Sequence, residues 1–332
     1  MASQRDVKNR IGSVKNIQKI TRAMEMVAAA RLRRAEQRIE VLRPYADALR
    51  RMTRQAARDA GPEAARNPLL AGSGHASGAS VSRSGERDAV GAVGLLLITG
   101  DRGLAGGFNS QVIRAGIRAG TELTEEGLNV AWYATGRRGV SSLTFRGREV
   151  SGSYTGFADK PSYADARAIA KEVVAAYTDG KVDRLEIVYN AYVSPLTQNV
   201  VRETLLPLSR ATIAGEAEDD EAAAGPDGAS AVAPGMAGDG SGRRGPGALV
   251  EYEPEAREIL EQLVPDYVET SIYRALVESA AGFFGAQMTA MRNASENAGE
   301  IITDLTLEMN RARQAEITQE IMEVVAGAEG LS

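Results

Sequence analysis

The chain has 332 residues, no cysteine, one histidine, and a formal net charge of −5. Without cysteine there can be no disulfide framework, thiol nucleophile or thiolate zinc site, and a single imidazole, His75, leaves no multi-histidine metal site. Hydrophobic residues make up 43% and aromatic residues only 5%. That is enough apolar mass for a core, in a composition that leans toward long helices.

Residues 1–58 are expected to form one long helix. Apolar side chains recur in steps of three and four at Val7, Ile11, Val14, Ile17, Ile20, Met24 and Val27. The stripe resumes at Ala35, Ile39, Leu42, Ala46 and Leu49, and its average spacing is close to that of a coiled coil. Pro44 removes one backbone hydrogen bond and predicts a bend rather than a stop. Residues 59–88, with five Gly and five Ser, have a linker composition.

Residues 89–213 predict a small α/β domain. The run 90–99 (VGAVGLLLIT) is continuously apolar, as strands buried on both faces of a parallel sheet are. A glycine turn at 100–107 follows, then a helix over 109–123, a strand over 129–135, and a turn at 136–139. A helix over 163–177 and strands over 184–191 and 199–208 complete it. The glycine turn has the strand–turn–helix context of a phosphate site, which keeps a nucleotide-binding enzyme with a coiled-coil arm as the alternative. Its glycines at 100, 103, 106 and 107 do not match G-x-G-x-x-G, and no Gly-Lys-Ser/Thr follows.

Residues 214–248 contain nine Gly, three Pro and an acidic run beginning at Glu216, and are expected to be a disordered insertion. A return segment over 249–264 leads to a second long helix over 265–326, started by Pro265 and Asp266 and stopped by Gly327 in the tail 327–332. Its stripe is Val268, Ile272, Ala275, Ser279, Gly282, Ala286 and Ala290, then Ile301, Leu305, Met309 and Ala312. Small residues in that stripe suit a close antiparallel helix pair. Residues 1–58 carry a net charge of +10 and residues 266–326 one of −6, so the two ends attract. The arginines at 31, 33, 34 and 38 could also meet nucleic acid or another anionic partner, although no aromatics are interleaved with them. The N-terminus has no signal-peptide pattern, and no apolar run approaches the ~20 residues needed to span a membrane.

Several stretches resemble the gamma subunit of the F-type ATP synthase. They are 17–29 (IQKITRAMEMVAA), 43–46 (RPYA), 99–107 (TGDRGLAGG), 252–254 (YEP) and 310–321 (NRARQAEITQEI). The resemblance implies an antiparallel coiled coil of the two terminal helices inside a catalytic hexamer, and a small Rossmann-like α/β domain as a foot. It implies a rotor with no catalytic, cofactor or metal residues of its own. Its partners would be the alpha and beta subunits, the epsilon subunit and the membrane ring, at the cytoplasmic face of a bacterial plasma membrane. By motif match, Met24 lies near a catalytic-subunit loop. Arg313, Gln314, Thr318 and Glu320 contact the catalytic subunits or brace the neighbourhood of Met24. The chain departs from the family pattern in three respects. Ala105 and Gln287 stand where many relatives have cysteine and arginine, the insertion at 214–248 is longer than usual, and the redox-regulatory cysteine pair is missing.

Overall fold

The computed structural model describes residues 4–60, 68–71, 91–208 and 255–329. The linker's central stretch and the whole insertion at 214–248 lie outside the described residues. Helix α1, Gln4–Asp59, is unbroken through Pro44. A single turn, α2 (Pro68–Ala71), precedes the sheet. Then come β1 (Ala92–Ile98), α3 (Phe108–Glu125), β2 (Asn129–Thr135), α4 (Arg137–Phe145), β3 (Val150–Tyr154), α5 (Tyr163–Thr178), β4 (Arg184–Tyr192) and β5 (Gln198–Leu206). The chain closes with α6, Ala256–Glu329.

The strands form one sheet in the order β3-β2-β1-β4-β5. β1 pairs in parallel with β2 and β4, and β5 runs antiparallel on the β4 edge. The apolar run predicted as a two-sided strand is one. Leu95 and Leu97 face a core with Val112, Ala119 and Leu143 of α3 and α4. Leu96 and Ile98 face a core with Ile169 and Val173 of α5 and with Val268 and Ile272 of α6. The foot is therefore three layers, and the C-terminal helix supplies part of one outer layer.

The expected turn at 136–139 is instead the start of α4. Gly136 enters it at φ +81°, where a Cβ would lie 2.2 Å from the Thr99 carbonyl oxygen, so only glycine fits. Strand β3 was not predicted; its five residues, VSGSY, are short and weakly apolar.

The second long helix starts before Pro265, not at it. Leu260 and Val264 are fully buried against the foot core, and that burial holds the nine helical residues 256–264 ahead of the proline. An interior proline costs on the order of 3 kcal/mol, which two buried aliphatic side chains at ~1.5–3 kcal/mol each offset. At the other end α6 runs through Gly327 to Glu329.

Candidate functional site: the shaft and its seat

In α1 every buried side chain except Ala57 falls on one of two heptad series, whose remaining members are half-buried. One is 7, 14, 21, 28, 35, 42, 49 and 56, and the other is 11, 18, 25, 32, 39, 46 and 53. This is a 3.5-residue seam held over seven heptads, the period of a left-handed coiled coil. The predicted stripe follows it at both ends but drifts by one residue between 17 and 27. There Ile17, Ile20 and Val27 are 53%, 59% and 52% exposed, while the seam is occupied by Gln18, Thr21, Glu25 and Ala28. Ile301 of α6 likewise faces outward, and Met291, Ala298, Ile302 and Leu305 face inward.

Polar seam residues are held by specific partners. The Gln18 amide donates to the Ser295 carbonyl at 3.2 Å, and Arg292 Nε donates to Glu25 Oε1 at 2.9 Å. The Arg31 guanidinium lies over the Phe284 ring at 5.6 Å. These pairs establish the antiparallel sense. The interhelical ion pair Arg292–Glu25 has its cation on the acidic helix, the reverse of what the net charges suggest.

The register also locates the predicted contact residues. Met24 is half-buried, about level with Met291. Arg313, Gln314, Thr318 and Glu320 are all exposed. At 1.5 Å per residue Arg313 lies roughly 33 Å along the axis from Met291, so these four residues do not brace the neighbourhood of Met24. Extrapolating the register puts Gln4 opposite residue 311 or so. The last ~18 residues of α6 thus lie beyond Gln4, the first described residue of α1, as a helix roughly 27 Å long. Ile317, Ile321, Met322 and Val324 on that tip are exposed.

At the other end of the pair, α6 sits across the carboxyl edge of the parallel sheet. The crevice between β1 and β4, where the strand order reverses, is where open α/β folds bind ligands. Here Phe283 of α6 fills it, packed edge-to-face on Phe108 at 5.7 Å, and the residual cavity is about 10 Å³. A Cβ on Gly100 would meet Phe283 at 3.0 Å. Polar groups of the glycine turn are already engaged. Asp101 accepts from the backbone N–H groups of Arg137, Gly156 and Ala158 at 3.0–3.2 Å. Gly100 N–H donates to Asn109 Oδ1 at 2.8 Å, and Thr99 Oγ1 donates to the Thr135 carbonyl at 2.7 Å. The turn is a structural joint, and the alternative of a nucleotide held there has no space. Phe283 and Phe284 lie outside the predicted stripe; as a pair of adjacent aromatics among small residues they were the available signal in the sequence.

A polar seam ties shaft to foot elsewhere. Tyr192 of β4 donates to Glu36 of α1, and Arg31 of α1 pairs with Asp159 at 3.2 Å. Glu203 of β5 accepts from Tyr189 at 2.9 Å and from Arg274 of α6 at 3.1 Å. Tyr163 of α5 donates to Glu269 of α6 at 2.9 Å; burial, then that bond, pushes its hydroxyl up to about 12. Burial also raises the Glu278 carboxyl above its ordinary range, against the opposing pull of Arg274. Among the described residues no acidic or histidine cluster could hold a metal ion, and no helix is long and apolar enough to cross a membrane.

A slim two-helix shaft, locked on an α/β foot whose ligand crevice is filled by the shaft itself, defines a stalk protein. Comparison with known proteins agrees. A family model described as ATP synthase matches residues 3–331. An ATP synthase gamma chain of Rubrobacter xylanophilus is 40% identical over 332 residues, covering 100% of this chain and 99% of that one. The Streptomyces coelicolor gamma chain is 39% identical, covering 100% and 97%. The fold is shared with a chain of the Euglena gracilis mitochondrial ATP synthase (TM-score 0.61, 17% identity, 99% of this chain and 94% of that one). It is shared too with a chain of the Tetrahymena thermophila central stalk and c-ring structure (TM-score 0.53, 22% identity, 83% and 99%). The chain belongs to the ATP synthase gamma chain family.

Proposed function

We propose that this chain is the central-stalk rotor of an F-type ATP synthase, coupling proton flow through the membrane ring to ATP synthesis and hydrolysis by rotation. It takes no part in bond making. The projecting tip and upper coiled coil turn inside the hexamer of alpha and beta subunits, with Met24, Arg313, Gln314, Thr318 and Glu320 in contact with it. The foot rests on the membrane ring beside the epsilon subunit. The complex holds the chain peripherally at the cytoplasmic face of a bacterial plasma membrane.

The observation that carries this function is the overshoot of α6. A helix end that leaves its partner with Ile317, Ile321 and Met322 exposed is built to be enclosed by something else. Because α1 and α6 meet the hexamer as two unlike helices, the shaft presents a different side to each of three catalytic sites. Rotation then biases each site between affinity states, which is a coupling free energy transmitted by a stiff element.

The chain has no cysteine, so a single one can be placed at will. Met24→Cys in a purified complex should crosslink to a catalytic subunit and stop ATP turnover, with recovery on reduction. A complex that turns over normally with the crosslink formed would overturn the rotor assignment. Deleting 318–332 should lower proton pumping per ATP hydrolysed; unchanged coupling would remove Thr318 and Glu320 from the contact set.

A further inference from the structure

Beside the seam, α1 and α6 leave a long groove that the rotor function does not account for. Its lower part, about 610 Å³, is lined by Arg34, Arg38, Val41, Leu42, Tyr45 and Tyr273. Its upper part, about 430 Å³, continues past Arg34 and Arg38 to Lys160 and Phe284. Arg31 is occupied by Asp159, but the side chains of Arg34, Arg38 and Lys160 have no ion-pair partner among the described residues. The groove thus has an apolar end, where Val41 is 79% and Tyr45 54% exposed, and a cationic end one to two turns higher.

We propose that the acidic run of this same chain, residues 216–221, docks in that groove. The run reads EAEDDE and holds five carboxylates, with Ile213 three residues before it. Order and polarity match. The chain leaves the described foot at Leu208, whose backbone N–H donates to the Leu69 carbonyl; both residues belong to the core that also takes in Ala56 and Ala57 at the lower end of α1. Coming from there, the chain reaches the Val41–Tyr45 end first with Ile213 and the Arg38–Arg34 end next with its carboxylates.

The reach is sufficient. From the level of Ala57, Val41 is about 24 Å and Arg34 about 35 Å along α1 at 1.5 Å per residue. Eight extended residues to Glu216 span up to ~27 Å and thirteen to Glu221 up to ~43 Å. The 33 residues between Glu221 and the start of the described chain at Glu255 impose no limit on the return. Tethering keeps the run at a high effective concentration over the groove, so weak, partly screened charge pairs suffice to hold it. A second occupant of like charge must displace this segment first. The inference is independent of the rotor assignment, since it concerns contacts within one chain.

The test uses the full-length, otherwise cysteine-free chain carrying Val41→Cys and Ala214→Cys. Under mild oxidation an intrachain disulfide should form at least tenfold faster than in a control pairing Ala214→Cys with Ser141→Cys on the far face of the foot. Adding Arg34→Glu and Arg38→Glu should slow it about tenfold, and Glu218→Lys with Asp220→Lys should restore the rate. Raising the salt should slow the parent pair and leave the control unmoved. Equal rates for the two pairs would overturn the proposal, as would a rate indifferent to charge reversal. So would reversal that weakens binding of other subunits while leaving the disulfide rate unchanged, because the groove would then belong to a partner.

Discussion

Along its lower half α6 is a core element, and along its upper half it is a surface one. Between Leu260 and Gly285 it is buried on several sides, against sheet, α5 and α1. Above Met291 only one stripe is covered, and past Ala312 none is. The lower half resembles the all-round apolar helix of a large core, and the upper half the narrow seam of a coiled coil. One rod therefore has an anchored end and a working end. The anchor concentrates burial, where each apolar side chain contributes most. The working end spends its length on reach and exposed surface.

Substitutions can break this contrast. Phe283→Ala, in the anchor, should cost about 3–5 kcal/mol of stability through lost burial and a cavity at the sheet edge. Denaturant unfolding of the full chain checks this; a cost below ~1 kcal/mol would mean that the crevice is not sealed by this ring. Leu32→Ala, at the boundary of the two regions, should cost about 2–4 kcal/mol, since Leu32 packs with Ala281 and Phe284. Ile20→Ala should cost less than about 0.5 kcal/mol although isoleucine is the more apolar choice, because Ile20 faces out. Equal costs for Leu32 and Ile20 would reinstate the drifted stripe.

Two smaller effects sharpen the picture. Because burial raises the folded-state pKa of Glu278, the native state holds a proton that the unfolded chain has already released. Stability therefore falls as pH rises from the ordinary glutamate range through the raised value, and the full loss is present above it. Glu278→Gln removes that ionisation. The variant should gain stability over the parent at pH 8, with the gap narrowing toward pH 4.5; the opposite trend would mean that Arg274 dominates. Smallest is Glu25→Ala, expected at about 0.3–1 kcal/mol and shrinking with salt, since Arg292 is half-exposed.

Much of the fold was legible residue by residue. Helix α3 and strands β1, β2 and β4 lie within two residues of expectation, because long apolar runs and clear glycine punctuation mark them. Strand β3 and helix α4 were not legible. VSGSY carries too little apolar signal, and Gly136 reads as a turn whether or not a helix follows. The site residues divide in the same way. Motif match could name Met24 and Arg313, but not the axial distance between them, which depends on the register of two chain segments remote in sequence.

The sequence by itself determined that two long helices bracket an α/β domain, because hydrophobic period and composition act locally. It also excluded thiol chemistry, since no cysteine is present. Tertiary structure alone decided which face of α1 between residues 17 and 27 is the seam, where α6 begins, and what fills the sheet crevice. Each of these turns on a partner surface. A polar Gln18 is half-buried because the Ser295 carbonyl awaits it, a helix passes through Pro265 because Leu260 and Val264 find a core, and the crevice beside the glycine turn is closed because Phe283 is there first.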